Sequence, residues 1–100
     1  MDKNTALNYA RQYAEKVKTA CSPMAVVLYG SYANGEPDEH SDIDIAVIFD
    51  SFDGDFLETS AALYQLTCEV STAIEPLLLD LSSDKSGFAE EILRNGQHVA

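Results

Sequence analysis

Basic residues are scarce in this sequence, which has six Lys and Arg against 17 Asp and Glu and a formal net charge of −11 at pH 7. Proteins that wrap DNA or RNA neutralise phosphates with a basic face, so direct DNA binding is not expected. A free nucleotide would also be repelled unless cations intervene. The charge favours carboxylates that hold divalent metal ions or an acidic surface that meets a basic partner, although solubility alone could account for much of it.

Long apolar segments and cysteine patterns are also missing. The longest apolar run covers residues 24–29, far short of the roughly 20 residues that span a bilayer, and residues 1–5 are polar and lack a signal core. Cys21 and Cys68 form neither a CxxC pair nor a disulfide framework. With 100 residues and 46% hydrophobic content, the chain is expected to be one cytoplasmic domain over residues 1–100 that does not enter a membrane.

Hydrophobic periodicity predicts helices that alternate with strands. The predicted elements are a helix over about residues 4–20, a strand over 24–29, a short helix after residue 30, a strand over 42–49, a helix over 56–71, a strand over 74–81 and a helix over 87–95. Asp53 or Asp55 is suited to cap the helix that begins at residue 56. In the strand over 74–81, Pro76 indicates an edge strand or a bulge. This order predicts the α/β (α+β) class, with a small mixed sheet flanked by helices.

Two aspartates open the second predicted strand. Asp42 and Asp44 are two residues apart, so their carboxylates point to the same face of a strand. Two carboxylates about 6–7 Å apart repel each other unless they are exposed or neutralised, and no Lys or Arg lies near them in the sequence. The strand becomes wholly apolar from Ile45 onward. The pair therefore lies at the start of a core strand, which favours a Mg²⁺ site that also binds a triphosphate.

A Gly–Ser turn directly follows the first predicted strand. Gly30 has no Cβ, so the backbone can bend sharply there and approach a ligand closely. Backbone N–H groups at the start of a short helix form an anion site, and the Ser31 hydroxyl can donate a hydrogen bond to a phosphate oxygen. A Gly–Ser pair alone is weak evidence for a phosphate site. Between a buried strand and an acidic strand, it predicts a site for nucleotide phosphates.

These two segments together resemble a known family signature. Gly-Ser-Tyr-Ala-Asn-Gly at residues 30–35 and Ser-Asp-Ile-Asp-Ile at residues 41–45 resemble the signature of the DNA polymerase β-like nucleotidyltransferase superfamily. The resemblance is greatest to its minimal branch of small prokaryotic domains. It is most specific over residues 26–49, and the order of helices and strands extends it to the whole chain. The resemblance implies a nucleotidyltransferase fold.

The resemblance also implies roles for particular residues. Gly30 and Ser31 would bind the triphosphate of ATP or another NTP, and Asp42 and Asp44 would bind the Mg²⁺ ions of a two-metal site. A third carboxylate on a following strand completes the site in this family. Minimal members commonly have Arg at the position of Asn34, so this chain lacks a positive charge there that could help to hold phosphates.

Two residues compete for the place of the third carboxylate. Glu75 and Asp80 both lie in the third predicted strand, five residues apart, so they face opposite sides of a regular strand. The distance of Glu75 from the last helix resembles the family spacing, and we therefore assign Glu75 to the metal and catalytic set. Asp80 stays an alternative because Pro76 could shift the register.

The implied reaction is transfer of a nucleoside monophosphate from an NTP to a hydroxyl acceptor, with release of pyrophosphate. Minimal members resemble the antitoxins of two-gene pairs whose partner is a helical HEPN-domain protein. The surface that binds the acceptor is expected to come from a partner or from a second copy in a homo-oligomer, and the resemblance implies transfer onto the partner, often at a tyrosine. Two rival interpretations are a catalytically weak module that neutralises its partner by contact and a small-molecule nucleotidyltransferase of the aminoglycoside-modifying type.

Overall fold

The computed structural model describes residues 2–34 and 42–100, which form four helices and four strands. In chain order these are α1 (Lys3–Cys21), β1 (Ala25–Tyr29), α2 (Ser31–Asn34), β2 (Ile43–Phe49), α3 (Phe56–Thr67), β3 (Ile74–Asp80), α4 (Phe88–Asn95) and β4 (Gln97–His98). Asp55 caps α3, because its carboxylate accepts a hydrogen bond from the Glu58 N–H at 3.0 Å. No helix in the described ranges is both long and apolar enough to cross a membrane.

The four strands form one mixed sheet in the order β3-β2-β1-β4. β1 is antiparallel to β2 and β4, whereas β2 and β3 are parallel. The predicted class, a small mixed sheet with flanking helices, is confirmed. β3 is an edge strand, as Pro76 indicated.

Two details differ from the sequence-based expectations. α3 ends at Thr67 rather than near residue 71, because the next backbone N–H groups turn back in tight bonds, such as that from Glu69 to the Leu66 carbonyl. β4 was not predicted, since two residues are too short to show a period. Its His98 ring lies 2.9 Å from the Leu93 carbonyl oxygen.

The two faces of the sheet carry separate apolar clusters. α1 and α3 cover one face, against which α1 buries Ala6, Ala10, Tyr13, Ala14 and Val17. α4 covers part of the other face, where Ile92 packs with Val27, Ala46 and Ile48. Side chains alternate along a strand, so Asp44 shares this second face with Ala46. The fold therefore places the predicted site on the side that α4 covers only in part.

The Tyr13 hydroxyl joins α1 to α3 by a hydrogen bond that it donates to the Leu63 carbonyl oxygen at 2.6 Å, in the buried core. We expect Tyr13→Phe to lower the free energy of unfolding by about 1–2 kcal/mol, because a buried hydrogen bond is lost. Urea denaturation measures this difference. Tyr9→Phe is the control, since the Tyr9 hydroxyl makes no hydrogen bond to the described residues. Equal losses in both variants would contradict this account.

Candidate active site

Three polar side chains lie side by side across the second face of the sheet. In the strand register, Tyr29 of β1 pairs with Asp44 of β2, and Asp44 pairs with Glu75 of β3. Paired residues of neighbouring strands point to the same face and are close enough to interact. Asp44 is therefore the centre of the row, with a phenol on one side and a carboxylate on the other.

The Gly–Ser turn touches the centre of this row. Gly30 has a φ of +76°, a conformation that residues with a side chain rarely adopt. A Cβ at Gly30 would overlap with Oδ2 of Asp44. The backbone conformation therefore favours glycine, and any added Cβ would displace the Asp44 carboxylate from the turn. The two motifs of the sequence, the turn and the acidic strand, meet at this contact.

The turn continues into α2, whose first residue is the half-buried Ser31. Tyr32 is fully buried in the cluster beneath α1 and fixes the start of this short helix against the core. The prediction of a short helix after Gly30 is therefore confirmed over Ser31–Asn34. The remaining signature residues, from Gly35 to Ser41, and the side chain of Asn34 lie outside the described part of the chain.

The site accumulates negative charge. Burial raises the pKa of Asp44, and the nearby charges of Glu75 and then Asp42 raise it further. Burial, followed by the charges of Asp44 and Glu75, likewise raises the pKa of Tyr29. In the described ranges, the one ion pair joins Lys16 to Glu69 and involves none of these carboxylates. Carboxylate oxygens gathered in this way, with no Lys or Arg of the described residues paired to them, fit a hard divalent cation.

The carboxylates do not form a closed cage for such a cation. Within residues 2–34 and 42–100, no group of three or more His, Cys, Asp or Glu side chains is arranged to hold a metal ion. Asp42, just before β2, and Glu75 are both exposed, whereas Asp44 is half-buried. This arrangement suits Mg²⁺, which is usually held by one or two carboxylates together with phosphates and water.

Asp80 lies far from this row. It pairs with Phe49 at the opposite end of β2, and its carboxylate accepts hydrogen bonds from the backbone N–H and hydroxyl of Ser82 at 3.0 and 2.7 Å. The hydrogen bond from the Ser82 side chain is the main cause of its lowered pKa. The structure therefore brings Glu75, and not Asp80, beside Asp44.

The two candidates for the third carboxylate make a matched experiment. We expect Glu75→Gln to weaken Mg²⁺-dependent ATP binding by roughly tenfold, or about 1.4 kcal/mol, because a charge next to Asp44 is removed. Asp80→Asn removes the same charge at the far end of the strands and should leave binding unchanged. Calorimetric titration of both variants decides between them. A larger effect in Asp80→Asn would exclude Glu75 from the role.

Sequence reasoning missed the contribution of α4 to this region. Tyr29 lies beside Asp44 in the strand register and meets the ring of Phe88 in α4 edge-on, with 6.1 Å between ring centroids. The two rings border a cavity of about 130 Å³, which also reaches Gly30 and Asn95. Because residues 29 and 88 are so distant in sequence, no local pattern could have joined them.

Comparison with known proteins agrees with the geometry. The family described as polymerase beta, nucleotidyltransferase, matches residues 11–100, and the chain belongs to this family. A candidate nucleotidyltransferase from Sulfolobus solfataricus has a similar structure, with a TM-score of 0.68, 18% identity and coverage of 96% of this chain and 80% of that one. At this identity the likeness establishes the fold.

A second solved structure has a closer sequence. It is described as a toxin-antitoxin with AMP-PNP, and it aligns with a TM-score of 0.62 and 26% identity over 90% of this chain and 72% of that one. No curated protein sequence matches this chain. The fold and the family thus place the chain among nucleotidyltransferase-type enzymes.

Proposed function

We propose that this chain transfers a nucleoside monophosphate from an NTP, ATP by preference, to a hydroxyl group on a protein partner. The observation that carries the proposal is the contact between Asp44 and the Gly30 turn, with Glu75 next to Asp44 in the sheet. A triphosphate bound at the turn would lie against carboxylates that can hold its counter-ions. The 26% identical neighbour described with AMP-PNP supports a nucleotide at such a site.

Each residue has a distinct task in this reaction. Gly30 lets the Asp44 carboxylate approach the turn closely, and the Ser31 backbone and hydroxyl donate hydrogen bonds to the phosphate oxygens. Asp42, Asp44 and Glu75 would hold Mg²⁺, which when bound neutralises phosphate charge and lowers the pKa of the attacking hydroxyl. Leu77 and Leu79 follow on the face of Glu75 and exclude water from one side.

The bond changes follow from this arrangement. The acceptor oxygen forms a bond to the α-phosphorus of the nucleotide, and the bond from that phosphorus to the bridging oxygen breaks. Pyrophosphate leaves with the bonding electron pair. Glu75 is exposed, so it can take the proton of the acceptor hydroxyl and pass it to solvent.

We further propose that the chain acts in the cytoplasm as the antitoxin of a toxin–antitoxin pair, with a helical HEPN-type protein as partner and acceptor. The neighbour described as a toxin-antitoxin supports the paired arrangement, and the family resemblance of the sequence supports the type of partner. The net charge of −11 suits a basic partner.

The nucleotide site is tested by calorimetric titration of ATP with and without Mg²⁺. We expect Mg²⁺-dependent binding in the native chain and its loss in Asp42→Ala/Asp44→Ala. The control is Asp50→Ala/Asp53→Ala, which removes two exposed carboxylates outside the site and should bind ATP normally. Binding that persists in the Asp42/Asp44 variant would overturn the proposal.

Transfer is tested separately, by following α-labelled ATP onto the purified product of the adjacent gene. We expect label on that protein in the presence of the native chain and none with Asp44→Asn. If the two proteins associate without transfer of label, the chain neutralises its partner by contact alone.

A further inference from the structure

One side of α3 carries an exposed apolar stripe. Leu57, Ala61, Tyr64 and Cys68 follow one another at intervals of four, three and four residues, which places them on one side of the helix. All four are exposed, Leu57 to 79% and Tyr64 to 52%. These four residues are called the α3 stripe below. Contiguous exposed apolar surface of this kind marks interaction sites.

The α3 stripe is separate from the surfaces that α3 uses within the fold. Leu63 and Thr67 are the buried residues of the helix. On the flank toward α1, Ala62 and Leu66 line a groove with Ala20. From the helical spacing, the stripe lies on the opposite flank. No described residue buries it, so it is available for contact with another molecule.

Negative charge lies at the ends of the α3 stripe and along the side of α3 that faces α1. Residues 42–84 contain ten carboxylates and no Lys, Arg or His. Asp55 and Glu58 lie at the start of α3 and Glu69 lies just past its end. Glu69 pairs with Lys16 at 3.3 Å, but both side chains are well exposed, so the pair screens little of this field. The stripe is thus apolar and has an acidic border at its ends and on the side toward α1.

We propose that the α3 stripe docks a basic, helical surface of a partner protein, in which apolar side chains are bordered by Lys or Arg. Such a partner fills the stripe with apolar contacts and places opposite charge against its border. A second copy of this chain is disfavoured because two acidic borders would face each other. The inference rests on the proposed function in needing a protein partner, but none of the four stripe residues is among those proposed to bind nucleotide or metal, which are Gly30, Ser31, Asp42, Asp44 and Glu75.

The test uses two designed amphipathic peptides of about 20 residues, long enough to form a helix. Both carry the same leucine stripe, bordered by Lys and Arg in one and by Glu in the other. Fluorescence anisotropy should show binding of the basic peptide and at least about tenfold weaker binding of the acidic one. Leu57→Glu and Tyr64→Glu should each weaken the basic peptide by about tenfold or more.

The control variant separates apolar docking from simple charge attraction. Met24→Glu adds the same charge at an apolar side chain that is 47% exposed and lies outside α3. Charge alone would strengthen binding of a basic peptide to every Glu variant, so weakening confined to Leu57→Glu and Tyr64→Glu locates the contact. Leu57 and Tyr64 are exposed, and circular dichroism should show all three variants folded.

Alkylation of Cys68 gives a second test of where the peptide binds. In a Cys21→Ser protein its exposed thiol is the only one. The bound basic peptide should slow its alkylation several-fold, and the acidic peptide should not.

Three results would overturn the inference. These are no binding of the basic peptide, equal binding by all variants, or a dimer in sedimentation that Leu57→Glu dissociates, which would make a second copy the occupant. ATP titration of Leu57→Glu keeps the two proposals apart. Nucleotide binding should be unchanged in this variant, and failure of the native chain to bind ATP would leave the peptide result standing.

Discussion

Gly30→Ala should destabilise the fold and remove most of the Mg²⁺-dependent ATP binding. At a φ of +76° an added side chain costs about 1–2 kcal/mol of stability. The new Cβ would also overlap with Oδ2 of Asp44, so the carboxylate must move away from the turn. We expect ATP binding to weaken by roughly tenfold or more, or about 1.4 kcal/mol. Urea denaturation and calorimetric titration measure the two effects.

Gly87→Ala is the matched control for this prediction. Gly87 has a φ of +80°, close to that of Gly30, and no atom lies within 4 Å of the Cβ it lacks. This variant should lose about 1–2 kcal/mol of stability from the backbone alone and bind ATP normally. If both variants bound ATP equally well, the contact between the turn and Asp44 would have no functional value.

Asp44→Asn should strongly reduce the proposed nucleotide transfer, and it should raise the stability of the metal-free protein. A lost metal ligand removes several kcal/mol of transition-state stabilisation, so we expect transfer to fall by roughly 100-fold or more. The folded-state pKa of Asp44 is raised, chiefly by burial. The folded protein therefore binds more protons here than the unfolded chain, and stability falls as the pH rises through the unfolded-state and folded-state pKa values. At neutral pH the neutral Asn avoids this loss.

The thermal midpoint measures the effect of Asp44→Asn on stability. Without metal it should be higher in the variant than in the native chain, whereas Mg²⁺ and ATP should raise it only in the native chain. Asp80→Asn should act in the opposite direction, since Ser82 hydrogen bonds lower the pKa of Asp80 and its charge is stabilising. An Asp44→Asn protein that is less stable than the native chain at pH 7 would contradict this reading of the site.

The candidate site brings carboxylates together at the edge of an apolar sheet face. The second face of the sheet is apolar at Ala46 and Ile48 and becomes acidic at Asp44, within one strand. The repulsion among the carboxylates weakens the metal-free fold and would be relieved by a bound cation. Stability sacrificed at a site for the sake of a ligand is common in enzymes.

Much of the candidate site follows from the sequence alone, because its signals are local. The alternation of a strand puts Asp42 and Asp44 on one face, and the apolar residues from Ile45 onward place that strand in the core. A glycine between a buried strand and a short helix predicts the turn at residue 30. Pro76 indicates an edge strand or a bulge, because proline has no backbone N–H to donate to a neighbouring strand. All of these depend on residues within a few positions of one another.

Only the tertiary structure decided which distant residues meet. The parallel register of β2 and β3 puts Glu75 beside Asp44 and Asp80 at the far end, whereas the sequence left both open. The contact of Gly30 with Asp44, the pairing of Tyr29 with Phe88 and the short strand β4 were equally beyond local patterns. The physical reason is that register and packing are set by the burial of whole faces across the sheet, and a strand carries no local mark of its partner.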